Sequence, residues 1–410
     1  MLSYISPLPC VDYALRWPRR LVILGSTGSI GRSALDVVTA QEDLFCILAL
    51  AGGKNIRLLA EQAEKWRPRF LAVQDNAGRK ALLALLSYKA EVLTGPEGYV
   101  ALASLEEADL VLSAQVGAAG LKGTLAAVRA GKVVALANKE SLVLAGEIVR
   151  EECLKNQACI LPVDSEHNAI FQCLAGLSGT FGESLRPAQE EQSVKRIILT
   201  ASGGPFRGKS HEFLAKAKKE DALAHPTWSM GAKITIDSAS MMNKGFEIIE
   251  ACHLYGLSTA QVEVLVHPQS IIHSLIEYQD NSQIAQLGCP DMRIPISVCL
   301  GWPRRIQSNC RQLSLLQVPA LSFEAPDEKL FPALNLCKEA FLGGRGLTVA
   351  LNAANEVAVE LFMQDKLSFT GISTLVGKVL NAWSENTAPR TEEHVLALDT
   401  KARRMALEVI

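Results

Sequence analysis

The chain has 410 residues, with 41 basic residues against 43 acidic ones, a formal charge of −2, 49% hydrophobic residues and 20% charged ones. At about 150 residues per domain, this length holds two or three globular domains, and the chain is too apolar and too balanced in charge to be disordered. It carries no basic footprint for nucleic acid, and no apolar run approaches the ~18 residues that span a bilayer, so neither is an expected partner.

Residues 1–20 hold Pro7, Pro9 and Pro18 and end in Arg16, Arg19 and Arg20. They lack the apolar stretch of a secretory signal and read as a flexible extension. From Leu21 onward, short apolar runs alternate with amphipathic stretches. The runs are Leu21–Leu24, Cys46–Ala51, Phe70–Val73, Asp109–Ser113, Val133–Ala137 and Ile160–Val163. Strands buried on both faces read as unbroken apolar runs, so residues 21–163 are expected to form a Rossmann-like, doubly wound parallel α/β sheet.

A Gly-, Ser-, Pro- and Glu-rich loop at 176–193 interrupts that order. Beyond it, strands are expected at Arg196–Ala201, Lys233–Asp237, Val262–Val266, Ile271–Tyr278 and Gln283–Leu287, with one clear helix at Gly245–Tyr255. Residues 164–302 therefore read as an α+β domain with a partly antiparallel sheet. A Pro-spotted linker (303–330) leads to a helical bundle (331–410), in which Leu347, Ala350, Leu351, Ala354, Ala358 and Leu361 mark one buried helix face.

The ten cysteines form no C-x-x-C pair. Cys46, Cys153, Cys252, Cys299 and Cys337 sit among apolar or helical neighbours, as reduced thiols of a cytosolic core would.

Directly after the first strand stands Gly25-Ser26-Thr27-Gly28-Ser29-Ile30-Gly31, opening a helix. Such a loop lets backbone N–H groups approach a pyrophosphate at a helix N-terminus; its alternative is a structural turn. The second strand runs into Gly52-Gly53-Lys54-Asn55, a basic residue where an NAD site wants an acid. A 2′-phosphate favours Lys54, so NADP(H) is preferred over NAD(H), unless Lys54 is merely solvated.

Two further strands end on polar tripeptides, Asn138-Lys139-Glu140 and Asp164-Ser165-Glu166. In an extended segment Asp164 and Glu166 point to one side, which two carboxylates tolerate only with a cation or a shared proton; all-oxygen ligation favours a hard ion such as Mg²⁺ or Mn²⁺. The other reading is that Asp164 or Ser165 caps a helix beginning near His167. Thr200-Ala201-Ser202-Gly203-Gly204-Pro205 can form an anion-binding nest or an ordinary strand exit. Asn243 and Lys244, at a helix start, suit phosphate, while Glu247 by itself reads as a surface acid. The segment from His225 to Gly231, with Trp228, reads as a lid or as a loop around a buried indole. His267 and His273 read as structural.

The segments GSTGSIG, AGGKN, LANKESLV, LPVDSEHNAIFQ, TASGGPFR, HPTWSMG, ITIDSASMMNKGFE, VLVHPQSIIHS and PDMRIPI occur in one order. Together, from Leu21 to the final helices, they closely resemble the 1-deoxy-D-xylulose 5-phosphate reductoisomerase family. The resemblance implies NADPH-dependent rearrangement and reduction of 1-deoxy-D-xylulose 5-phosphate to 2-C-methyl-D-erythritol 4-phosphate, by retro-aldol cleavage and re-aldol, in non-mevalonate isoprenoid biosynthesis. It implies Asp164, Glu166 and Glu247 as ligands of Mn²⁺ or Mg²⁺ (Co²⁺ also suits them). Ser202, Ser238, Asn243 and Lys244 would grip the substrate phosphate. Lys139, Ser165 and His225 would line the substrate, with Glu166 and Glu247 beside it and Trp228 on the lid. Thr27, Gly28, Ser29, Ile30, Gly53, Lys54, Asn55, Asn138, Glu140 and Gly231 would contact the cofactor. A small phosphorylated sugar is the implied partner, with a cytoplasmic homodimer expected rather than a plastid-type protein. The competing readings are a metal-free NADP-dependent dehydrogenase of the semialdehyde type and a non-catalytic NADP-binding protein.

Overall fold

The computed structural model describes residues 3–9, 11–175, 194–228 and 230–409, so the loop expected at 176–193 lies outside the described residues. The first strands are β1 (Arg19–Leu24), β2 (Phe45–Ala51), β3 (Phe70–Val73), β4 (Glu91–Thr94), β5 (Leu110–Ser113), β6 (Val133–Leu136) and β7 (Cys159–Pro162). They form one parallel sheet in the order β4-β3-β2-β1-β5-β6-β7. Around it run α1 (Val11–Leu15), α2 (Ser29–Thr39), α3 (Ile56–Trp66), α4 (Asn76–Leu83), α5 (Gly95–Ala103), α6 (Gly120–Arg129) and α7 (Glu140–Asn156). β3, β5, β6 and β7 are buried along their whole length, the reason they read as unbroken apolar runs. Chain order reverses between β1 and β5, and that reversal opens a crevice at the strands' carboxyl ends.

The next region contains α8 (Ser165–Ala175), β8 (Val194–Ala201), α9 (His211–Lys216), α10 (Lys219–Leu223), α11 (Ala232–Ala239) and α12 (Met242–Tyr255). β9 (Val262–Val266), β10 (Ile272–Tyr278), β11 (Gln283–Leu287) and α13 (Arg293–Gly301) follow. The second sheet has the order β11-β10-β8-β9, with β8 and β9 parallel and the other pairs antiparallel. Between 303 and 330, the backbones of Val266 and Glu324 bond reciprocally at 2.9 Å, fastening the connector beside β9. The chain ends in α14 (Ala333–Gly343), α15 (Leu347–Met363), α16 (Phe369–Asn381) and α17 (Glu392–Glu408), with α15 packed on α7, α14, α16 and α17.

Three expectations are corrected, and one strand is added. Lys233–Asp237 is not a strand but part of α11, where Lys233 and Asp237 pair at 2.9 Å one helical turn apart. Its β-branched alternation is overridden by burial of Thr235, Ile236, Asp237 and Ala239. β4 went unforeseen because Glu91-Val92-Leu93-Thr94 is short and only half apolar. Cys46 is exposed rather than packed.

The segment before β1 is also not a loose extension. Ile5 and Tyr13 are buried, and the buried Arg19 guanidinium donates to the carbonyls of Leu300 (2.7 Å) and Trp302 (2.5 Å). It also lies 4.2 Å and 4.0 Å from the Tyr13 and Trp17 ring centroids. Local composition hid this packing because the partners lie some 280 residues away.

Candidate active site

The glycine loop turns at Gly25, whose φ of +92° requires glycine, and both Gly25 and Ser26 donate their N–H groups to Ala51 O at the end of β2. Gly31 is held as closely: a Cβ there would lie 2.4 Å from Gly25 O. Thr27, Gly28, Ser29 and Ile30 thus stand at the start of α2 on the rim of the crevice. Gly53 and Lys54 are exposed at the exit of β2, and Asn55 caps α3 by accepting from Leu58 N–H at 3.2 Å.

At the exit of β6, Asn138 is buried and shapes the neighbouring β5 loop, donating to Gln115 O (2.7 Å) and Gly117 O (3.0 Å). Glu140 accepts from Lys233 of α11 at 2.8 Å, so this expected cofactor residue is bonded to a lysine that sequence reasoning passed over. Burial opposes ionisation of Glu140, but Lys233 outweighs it and its pKa is lowered. Gly231, exposed, caps α11 beside it.

Asp164, Glu166 and Glu247 converge, with one carboxylate oxygen from each lying within 4.8 Å of the others. The reason differs from the extended geometry expected: α8 begins at Ser165, so Asp164 precedes the helix and Glu166 sits in its first turn. The helix thus starts two residues ahead of His167, with the Ser165 hydroxyl bonded to Glu166, and the three carboxylates meet without an extended segment. Glu247 arrives from α12 and is fully buried, unlike a surface acid. An all-oxygen donor set of this kind fits a hard divalent cation.

Two ammonium groups thread the carboxylates. Lys139 Nζ contacts Asp164 and donates to Glu247 Oε1 (3.0 Å) and Asn243 Oδ1 (2.9 Å). Lys244 Nζ lies 2.6 Å from Glu166 Oε1 and also contacts Glu247. Burial works against the charge on Lys139, yet Asp164 and Glu247 prevail and raise its pKa well above the ordinary value. Glu166 moves up, through burial and the neighbouring Glu247. Asp164 is pulled down by Lys139, against burial. The site is thus a dense, mutually compensating charge cluster.

A cavity of about 430 Å³ opens from this cluster toward Ser29 and Ile30. Lys139, Ser165, Ser202, His225, Trp228, Ser238, Asn243 and Lys244 all line it, so the structure brings the expected substrate residues to one space. Asn243 donates to Glu247 Oε1 at 2.5 Å and so faces the carboxylates. Gly203 and Gly204 have φ of +84° and +66°, the latter donating to Ser202 Oγ at 3.2 Å. His225 Nδ1 accepts from Thr227 N (3.1 Å) and Trp228 N (2.9 Å), which leaves its proton on Nε2, 3.0 Å from Ser202 Oγ. Burial lowers the His225 pKa and favours that neutral form. His273, expected to be structural, also lines the cavity with its ring centroid 6.3 Å from that of Trp228. His267 is buried away from it against Ser322 O.

Sequence reasoning also missed His167 and Glu250, a buried pair 3.0 Å apart behind Asp164. The available signal was the helical spacing of Glu247 and Glu250 with the adjacency of Glu166 and His167.

Known proteins resemble the whole chain. Family models described as 1-deoxy-D-xylulose 5-phosphate reductoisomerase, its C-terminal domain, and DXP reductoisomerase C-terminal domain match residues 21–146, 160–255 and 287–405. The 1-deoxy-D-xylulose 5-phosphate reductoisomerase of Oleidesulfovibrio alaskensis is 55% identical over 100% of this chain and 99% of its own. That of Nitratidesulfovibrio vulgaris is 54% identical over 100% and 97%. A crystal structure of DOX-P reductoisomerase in complex with NADPH, fosmidomycin and magnesium is 42% identical, with a TM-score of 0.89 over 95% of this chain and 98% of the other. The Zymomonas mobilis enzyme in complex with NADPH, also 42% identical, has a TM-score of 0.87 over 96% and 99%.

Proposed function

The chain belongs to the 1-deoxy-D-xylulose 5-phosphate reductoisomerase family, and from that membership we infer which of its residues carry the reaction. It is an NADPH- and divalent-metal-dependent enzyme that rearranges and reduces 1-deoxy-D-xylulose 5-phosphate to 2-C-methyl-D-erythritol 4-phosphate. The observation that carries the residue assignment is the convergence of Asp164, Glu166 and Glu247 on one point beside the cavity. These three hold the metal, Mg²⁺ or Mn²⁺. When bound, the ion supplies Lewis-acid charge and NADPH supplies the hydride.

The chain's own residues orient and enclose. Lys139 places a fixed positive charge where negative charge develops on the reacting oxygens. Ser202, Ser238, Asn243 and Lys244 take the substrate phosphate, with His225 Nε2–H adding a donor beside Ser202. Binding energy from that remote phosphate draws the segment carrying Trp228 over the cavity and excludes water. Thr27 to Ile30, Gly53, Lys54 and Asn55 receive the nucleotide end of NADPH, and Asn138, Glu140 and Gly231 frame its other end.

The semialdehyde-type reading loses support because no cysteine lines the cavity among the described residues. Assaying NADPH oxidation on addition of 1-deoxy-D-xylulose 5-phosphate, with and without Mg²⁺ or Mn²⁺, tests the assignment. Metal-dependent turnover is expected; NADPH binding without turnover would return the non-catalytic reading.

A homodimer formed along the second sheet is part of the same proposal. β11 is the edge of that sheet and is largely exposed, with Ile284 44% and Leu287 37% accessible, an edge that a second copy would cover. Light scattering at several concentrations checks it. A cytoplasmic place in non-mevalonate isoprenoid synthesis is proposed with it: the described cysteines are all free, and no described helix is long and apolar enough to cross a membrane.

A further inference from the structure

The segment ahead of β1 reaches the catalytic centre from behind. β7 is the last strand of the first sheet, so among the described residues one side of it has no strand partner. There the Tyr4 hydroxyl donates to Ile160 O at 2.8 Å, and Ser6 Oγ accepts from Ile160 N at 3.0 Å. Both free groups of one edge residue, four positions before Asp164, are thereby occupied.

The same segment seizes the far end of α12. A helix leaves its last carbonyls without intrahelical donors. Here Ser3 N–H donates to Tyr255 O (2.9 Å) and Ile5 N–H to Leu254 O (2.8 Å). Arg150 of α7 joins the two from outside, donating to Ser3 O (3.0 Å) and His253 O (2.6 Å). The Ile5 side chain is fully buried.

Tyr4 lies between α8, which carries Glu166 in its first turn, and α12, which carries Glu247. Its ring centroid is 5.7 Å from that of Phe171 on α8 and 5.8 Å from that of Tyr255 on α12. The Tyr255 hydroxyl in turn donates to His167 O, next to Glu166, at 2.6 Å. Asp164 and Glu166 ride on the β7–α8 junction and Glu247 on α12, so the spacing of the three oxygens depends on how these elements are held.

We propose that residues 3–6 form a clamp that sets this spacing, with Tyr4 as its positioning residue. The proposal rests on the reading of Asp164, Glu166 and Glu247 as metal ligands. The clamp touches neither substrate nor cofactor; it acts through the backbones of β7 and α12. Residues bonded directly to metal ligands change affinity by roughly 10–100-fold. Tyr4, one step further out, is expected to weaken Mn²⁺ binding by about 3–10-fold when replaced by Ala.

The test measures Mn²⁺ binding to the full-length protein by electron paramagnetic resonance, without turnover, in Tyr4→Ala, Tyr4→Phe, Ser6→Ala and Glu247→Gln. NADPH binding, governed by the glycine loop, is measured beside it and reports folding. Weaker Mn²⁺ binding in Tyr4→Ala with unchanged NADPH affinity supports the clamp, with Tyr4→Phe in between because it keeps the ring. Wild-type Mn²⁺ affinity in Tyr4→Ala and Ser6→Ala overturns it. Should Tyr4→Ala fail to bind NADPH, Tyr4→Phe and Ser6→Ala decide by the same comparison. Undiminished Mn²⁺ binding in Glu247→Gln would instead sink the ligand reading and the clamp with it.

Discussion

Lys139 Nζ donates to Glu247 Oε1 across 3.0 Å, although the two residues are 108 positions apart in the chain. The bond joins the exit of β6 to α12, so the first sheet and the catalytic region meet at the carboxylate cluster itself. Glu247→Gln keeps the size of the side chain and removes its charge. Turnover is expected to fall by more than about 100-fold, beyond the loss typical of residues around a ligand. NADPH affinity should stay within about twofold, since the glycine loop is untouched. Near-normal turnover would refute Glu247 as a ligand.

Lys54 stands exposed at the exit of β2, the position proposed to meet a 2′-phosphate. Lys54→Ala should raise the KM for NADPH by about tenfold, the value of one charge-assisted hydrogen bond. Activity with NADH should be unchanged. An equal loss with both cofactors would mean that Lys54 shapes the loop and does not read the phosphate.

Lys233 joins Glu140 at 2.8 Å to Asp237 at 2.9 Å, and Asp237 accepts from Asn355 of α15 at 2.8 Å. One ammonium thus links the first sheet, α11 and the terminal helices. Lys233→Met leaves two buried carboxylates without their cation and should cost about 3–5 kcal/mol of stability. Urea unfolding measures it, and a loss below about 1 kcal/mol would show that water reaches the site.

His253 is packed on Gly146, beside Ala145, where α7 departs from helical geometry. Burial, aided by Arg150, lowers its pKa to about 4. An unfolded histidine titrates near 6.5, so the unfolded chain binds this proton first as pH falls. The native state is therefore penalised progressively between about pH 6.5 and 4, by on the order of 3 kcal/mol at the lower end. Above that window the group has no effect. His253→Gln should flatten this part of the stability profile in urea titrations at several pH values; an unchanged slope would exclude His253 as its source.

Much of the fold is legible in the sequence alone. Strands β1, β2, β3, β5, β6 and β7 announced themselves because burial on both faces demands unbroken apolar runs. The long helix at Leu347–Met363 did so through its periodic apolar face. The glycine loop was readable because a strand, a turn requiring positive φ and a helix N-terminus are contiguous in the chain. The order of motifs along the chain was enough to identify the family.

Other features were decided only by the tertiary structure. Lys233–Asp237 has the residues of a strand, yet the space beside α12 and α15 makes it a helix. Glu247 looked like a surface acid until folding buried it against Lys139 and Lys244. The first 20 residues looked loose because the groups that hold them, Ile160, Leu254, Tyr255 and Leu300, lie far along the chain. Local pattern reports what a segment can do alone. Which carboxylates meet, and which lysines neutralise them, depends on contacts between distant segments, and those exist only once the cores have packed. The near-zero net charge belongs to both levels: the sequence supplies the balance, and only the fold concentrates Lys139 and Lys244 among Asp164, Glu166 and Glu247.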